Sequence, residues 1–197
     1  MTVPGLSLEL VLASQSPRRA ALLDGAGLTF RVVPADVPED VVPGETPSAH
    51  VARLARAKAD AVAAQWPRAV VLGADTVVVL GDRILGKPGS EAEAGQMMRL
   101  LSGQTHAVLT GVCLHRLEPA LVACWVCRTA VTFRELNAAV ITRYCALVNT
   151  LDKAGGYAIQ EYGDMLVARI SGRRSNVIGL PVEEVLTALQ QFRSPAA

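Results

Sequence analysis

A chain of 197 residues suits one domain, or a tightly fused pair of lobes, with a sizeable core. The formal net charge of +1 excludes a global field for nucleic acid or an anionic membrane, and no apolar run reaches the roughly 18 residues that span a bilayer. Hydrophobic residues make up 51% but aromatics only 4%, so the core must be built from Val, Leu, Ile and Ala, which suits α/β layers.

Met1–Leu12 carries no basic residue and no A-x-A pattern, so no signal peptide is expected. Leu8–Ala13 reads as a short buried strand. Ser14-Gln-Ser-Pro-Arg-Arg19 follows, and a helical run through Ala20–Leu23 is stopped by Gly25 and Gly27. Phe30–Val33 is a second strand, and the Pro-rich, acidic stretch from Pro34 to Pro47 a loop. Thr46 caps a helix with Pro47 at its first position, whose inward stripe is Val51, Leu54, Ala55, Ala59 and Val62. Val70–Leu80 and Arg83–Leu85 form a hairpin around Gly81-Asp82. Ser90 and Glu93 fit a capping box for a helix ending at Ser102-Gly103. Val108–His115 pairs with Leu121–Phe133, Asn137–Val148 is helical, and Asp152–Gln160 is a glycine-containing loop. Met165–Ile170 is a strand and Pro181–Phe192 the last helix. Strand–helix alternation mixed with hairpins predicts a mixed sheet flanked by helices within a single domain over 1–197.

Four places depart from what packing alone requires. Ser16 as N-cap and Pro17 as first residue put Arg18 and Arg19 in a helical first turn, where the macrodipole disfavours cations. They are either solvated surface arginines or, with the helix-terminal N–H groups, part of a phosphate site. Lys58 lies on an apolar helical stripe, so it either snorkels outward or points into a pocket. Asp75 sits mid-strand among β-branched residues and is costly to bury without a partner. Hairpin register sets Thr76 opposite Lys87 and Asp75 close to Lys87 and Pro88, giving either a structural ion pair or a base or metal ligand beside a phosphate-binding cation. In Asp152-Lys153-Ala-Gly-Gly-Tyr-Ala-Ile-Gln160 the glycines allow close backbone approach, and Asp152, Lys153 and Gln160 supply polar groups. Cations at Arg18, Arg19, Lys58 and Lys87, with carboxylates at Asp75, Glu39 and Asp152, together suit a polyphosphate and a divalent metal. No G-x-x-x-x-G-K-[ST] stands in the chain, which excludes a Walker-type ATPase.

Cysteines stand at 113, 124, 127 and 145. Cys124-x-x-Cys127 lies in a β-like run with no second pair, so a cytoplasmic protein with reduced thiols is the plain expectation.

The segments Leu12-Ala-Ser-Gln-Ser-Pro-Arg-Arg19, Ala55-Arg-Ala-Lys58-Ala, Gly73-Ala-Asp-Thr-Val77, Leu85-Gly-Lys-Pro88, Leu101-Ser-Gly103 with Thr105-His106, Asp152-Lys-Ala-Gly155 with Ile159-Gln160, and Ser175-Asn-Val-Ile-Gly-Leu-Pro181 occur in this order. From about Leu10 to Pro181 the chain resembles the Maf family of nucleoside triphosphate pyrophosphatases. The resemblance implies an elongated mixed sheet, two lobes with a cleft between them, a homodimer and dependence on Mg²⁺ or Mn²⁺. It implies that Asp75 activates water, with Lys58 and Lys87 beside it. Glu39, Asp75 and Asp152 become candidate metal ligands. Ser14, Arg18, Arg19, Thr76, Gln160 and Lys153 become substrate contacts, with Arg18, Thr76 and Gln160 setting base preference. Thr76 and Gln160 resemble the subgroup that acts on dTTP and UTP; a related subgroup prefers 7-methyl-GTP. Three places depart from the family pattern. Val148-Asn-Thr150 replaces Gly-Glu-Pro, Glu161 replaces a glycine, and Arg173-Arg174 replaces Ser-Tyr. The first removes a carboxylate; the second stiffens or crowds the substrate loop. A weakly catalytic nucleotide-binding regulator of cell division is the competing class. A nucleic-acid-binding module is disfavoured by the near-neutral charge and scarce aromatics.

Overall fold

The computed structural model describes residues 9–192. Most of the segment expected to lack a leader, and Leu8 of the first expected strand, lie outside them. The elements run β1 (Leu10–Leu12), α1 (Pro17–Gly25), β2 (Arg31–Val32), α2 (Pro47–Ala63), β3 (Val70–Leu80), β4 (Arg83–Leu85), α3 (Glu91–Leu101), β5 (Thr105–Arg116), β6 (Leu121–Phe133), α4 (Ala138–Leu147), β7 (Val167–Ser171), α5 (Arg174–Ile178) and α6 (Val182–Leu189). Short 3₁₀ turns lie at Ala154–Gly156, Gly163–Met165 and Gln190–Phe192. The last expected helix thus divides into α6 and a terminal 3₁₀ turn, and α5 is an element the periodicity did not indicate.

Seven strands form one sheet in the order β2-β1-β3-β5-β6-β7, with β4 paired to β3. β1 runs parallel to both β2 and β3, while β3–β4 and β6–β7 are antiparallel, so the sheet is mixed as expected. The hairpin register is also the expected one: Val78 faces Leu85, Val79 faces Ile84 and Leu80 faces Arg83. Gly81, at φ 59°, takes the left-handed conformation that the turn needs.

The chain divides into two compact units. Of the described residues, the first comprises 9–75, 110–127 and 179–192; the second comprises 76–109 and 128–178. In the first, β3 alternates between two cores. Val70, Leu72 and Ala74 pack with Leu23 of α1 and Val185 and Leu189 of α6, and Val71 packs with Ala55, Ala59 and Val62 of α2. α2 lies hard against the sheet because two strand glycines make room for it. A Cβ at Gly73 would run into the Ala55 carbonyl oxygen, and one at Gly111 into that of Val51. The second unit has its own core of Val78, Leu85, Met98, Leu101, Phe133, Tyr144 and Leu166, among others.

The expectation of uniformly reduced thiols is corrected. Cys113 of β5 and Cys124 of β6 are joined in a disulfide, with their Cα atoms 4.1 Å apart. Cys124 therefore does not act with Cys127, which is buried and donates to the Glu184 carboxylate at 3.3 Å. The sequence spacing showed the adjacent C-x-x-C but not the pair created by the β5–β6 ladder.

Candidate active site

In the first unit, the close seating of α2 on Gly73 fixes the central group. Lys58 lies between Ala55 and Ala59, the two residues against that glycine, and Asp75 follows Gly73 by two positions on the same strand face. Lys58 is buried and does not snorkel. Its Nζ donates to Asp75 Oδ1 at 2.7 Å and pairs with Glu39 Oε1 at 2.6 Å. The acidic loop that brings Glu39 here is tied to the same helix. Arg53 of α2 donates to the Asp40 carbonyl at 3.0 Å and to both carboxylate oxygens of Glu45, at 2.7 and 2.8 Å. Donation from Arg53 holds the Glu45 carboxyl down at about 2.

At the start of α1, Ser16 stands at the N-cap and Pro17 at the first position, as expected, but the Ser16 side chain makes no capping bond. Ser14 Oγ accepts from the Ser16 N–H at 3.2 Å and from Arg19 Nη1 at 3.0 Å, while Arg19 Nε donates to the Gly179 carbonyl at 2.9 Å. Arg19 is thus a buried, oriented cation. Burial pushes its pKa down, against the opposing pull of Asp75 and Glu39. Ser14, Arg19, Glu39, Lys58 and Asp75 form one electrostatically coupled group, with Arg18 beside it. Gly179 is the contributor that residue-by-residue reasoning missed; only its place in the quoted Ser175–Pro181 segment hinted at it.

The second unit carries Thr76, Lys87, Asp152, Lys153 and Gln160. β4 ends at Leu85, so the ladder stops before Thr76 and Lys87 would face each other, and Lys87 is exposed. The ion partner of Asp75 is Lys58, from the covering helix, where hairpin register had pointed to Lys87. The Gly155 N–H donates to the Gly86 carbonyl at 2.9 Å, tying the glycine-rich loop to the residue before Lys87. Gly155 and Gly156 both adopt positive φ, 68° and 74°, and a side chain on Gly155 would press on Val78.

Lys153 is buried. Its Nζ donates to the Asn149 carbonyl at 2.6 Å and to Asp152 Oδ1 at 2.8 Å, and pairs with Glu161 Oε1 at 3.4 Å. Two of the departures from the family pattern therefore serve this lysine, Asn149 through its carbonyl and Glu161 through its carboxylate. Gln160 is exposed, and its Nε2 faces Glu161 Oε1 at 3.5 Å. A carboxylate only accepts, so it draws the nitrogen side of the amide toward itself. His106 and Tyr144, neither given a role by sequence reasoning, hold the same loop. His106 Nε2 lies 2.7 Å from the Tyr157 hydroxyl, and Tyr144 is bonded to Ala158.

The chain matches the Maf-like protein family model over residues 9–192. It is 44% identical to a protein of Syntrophus aciditrophicus named dTTP/UTP pyrophosphatase, over 96% of this chain and 92% of that one. Proteins of the same name from Anaeromyxobacter dehalogenans and Moorella thermoacetica are 49% and 48% identical, over 94% and 93% of this chain and 95% of each relative. The chain belongs to the Maf-like protein family.

The donor set can be tested against the divalent metal that the family implies. Among the described residues no three His, Cys, Asp or Glu side chains group as a metal cage. Two carboxylates, Glu39 and Asp75, do converge on one ammonium. That set suits a hard cation bound through one or two carboxylates, with substrate phosphates and waters completing its shell.

Proposed function

We propose that this protein is a nucleoside triphosphate pyrophosphatase that hydrolyses dTTP and UTP to the monophosphate and pyrophosphate. The observation that carries the reading is the buried Lys58, held between Asp75 and Glu39, in a chain whose relatives are named dTTP/UTP pyrophosphatases. Water adds to the α phosphorus, the bond to the bridging oxygen breaks, and pyrophosphate leaves with the electron pair. Asp75 takes the proton from the water, and Lys58 fixes the direction of its carboxylate. Lys87, Arg18, Arg19 and Lys153 supply the cations that hold the triphosphate, with Ser14 keeping Arg19 in place. Mg²⁺ or Mn²⁺ would be held by Glu39 and Asp75, with Asp152 a further candidate, and supplies charge neutralisation on the phosphates. The chain works as a single domain, in the cytoplasm and as a homodimer.

Base preference falls to Arg18, Thr76 and Gln160. With its nitrogen side drawn to Glu161, the Gln160 amide keeps one N–H for O4 of uracil or thymine and its oxygen for N3–H. Cytosine reverses both roles, and leaving such groups unpaired costs about 1–3 kcal/mol. Thr76 is short enough to admit one ring and leaves little depth for a second, so purines are rejected by size.

The test is pyrophosphate release from a panel of triphosphates in Mg²⁺, after chelation and after metal add-back. dTTP and UTP should exceed dCTP, all three should exceed purine triphosphates, and chelation should abolish turnover until metal returns. A preference for 7-methyl-GTP would overturn the substrate assignment, full turnover without metal would overturn the metal assignment, and nucleotide binding without turnover would favour a regulator.

A further inference from the structure

We propose that Tyr144 is a positioning residue for base selectivity: its hydroxyl fixes the turn that presents the Gln160 amide. The inference rests on the pyrophosphatase reading above. Tyr144 lies in α4, fully buried, and its hydroxyl serves both polar groups of a single residue in the glycine-rich loop. It accepts from the Ala158 N–H at 2.9 Å and donates to the Ala158 carbonyl at 3.2 Å. Ala158 lies in no strand, so this hydroxyl does for it what a neighbouring strand would do.

The Ala158 carbonyl also accepts from the Glu161 N–H at 3.3 Å. Ala158–Glu161 is therefore a four-residue turn with Ile159 and Gln160 at its centre. Arg174 Nη2 donates to the Ile159 carbonyl at 3.3 Å, which holds the first central peptide. Immediately before the turn, Tyr157 is fixed by His106 and packs edge-on against the rings of His106 and Phe133, with centroids 5.5 and 4.8 Å away. Gln160 is exposed beyond this clamped base. An amide distinguishes O4/N3–H from the reversed pattern of cytosine only if its peptide cannot swivel, and Tyr144 is the group that holds the first residue of the turn at both ends. Burial pushes its phenol up to about 12, so the hydroxyl keeps its proton, and both bonds, throughout the working range.

Tyr144→Phe deletes both bonds and preserves the ring. Steady-state kinetics with dTTP and dCTP should show kcat for dTTP within about twofold of wild type, KM for dTTP raised and the dTTP-over-dCTP ratio of kcat/KM narrowed by about fivefold or more. In a Gln160→Ala background the same substitution should leave the ratio unchanged, because Tyr144 acts through Gln160. If Tyr144→Phe proves too unstable to assay, Ala158→Gly loosens the same turn with the tyrosine in place and should narrow the ratio likewise. A ratio unchanged in an active variant, or narrowed equally with and without Gln160, overturns the proposal and leaves the pyrophosphatase reading standing. A wild-type protein that releases no pyrophosphate from dTTP overturns both.

Discussion

A buried ammonium or carboxylate costs several kcal/mol unless its partners are well placed, and breaking such a pair costs more than never having it. Lys58 and Asp75 meet that condition through a 2.7 Å bond, with Glu39 as a third member. For Lys58 the residue type alone left two readings open and favoured the wrong one, because a lysine on an apolar stripe more often snorkels than points inward. The side chain that decides between them, Glu39, comes from a loop with no periodicity to read. His106 is the second residue whose surroundings matter. Burial beside Tyr157 and Phe133 pushes its pKa down from 6.5 to about 4, and its Nδ1 has no hydrogen-bond partner among the described residues. The unfolded chain therefore binds a proton there at a higher pH than the folded one. The stability His106 confers is complete above about pH 6.5 and falls as the pH drops toward 4, by on the order of 3 kcal/mol. Urea unfolding between pH 7 and 4.5 should show that loss, and His106→Gln, which retains an amide to meet the Tyr157 hydroxyl, should show a shallower slope. An identical slope would assign the dependence to other groups.

The decisive contact between elements is that of α2 with β3 at Gly73. Gly73→Ala would place a methyl against the Ala55 carbonyl oxygen and the Ala59 nitrogen, the residues on either side of Lys58. Lifting the helix should cost about 1–3 kcal/mol of stability and, by moving Lys58 from Asp75, about ten- to a hundredfold in kcat/KM on the proposed reading. Gly111→Ala meets the same helix at Val51, two turns from Lys58, and should match the stability loss with a smaller loss of activity. Equal activity losses in the two variants would detach Lys58 from catalysis. Hairpin and helix boundaries were legible because their signals are local: the Gly81-Asp82 turn, the Thr46 cap that accepts from Ala49, and the Ser90 cap that accepts from Glu93. The partner of Asp75 was not legible, because register names strand neighbours and says nothing of which helix covers a strand. Gly73 was the available clue, since a residue without Cβ in a buried strand marks the close approach of another backbone. The Tyr144–Ala158 bond and the Cys113–Cys124 disulfide left no trace in periodicity, as each joins side chains brought together only by tertiary packing or strand pairing.

For the molecule as a whole, a net charge of +1 provides no global field for an anionic partner, so any such attraction has to be local. No helix among the described residues is long and apolar enough to cross a membrane. The family match over 9–192 and alignments covering 92–96% of both chains mean that the likeness to the named pyrophosphatases is not confined to a fragment. The most direct test is therefore a product analysis of dTTP hydrolysis in Mg²⁺, by the wild type and by Asp75→Asn, which keeps the shape and loses the proton-accepting charge. Equimolar dTMP and pyrophosphate from the wild type, with a loss of at least roughly 10²-fold in the variant and nucleotide binding retained, is the expected result. Release of dTDP and phosphate, or a variant that turns over at the wild-type rate, would contradict it.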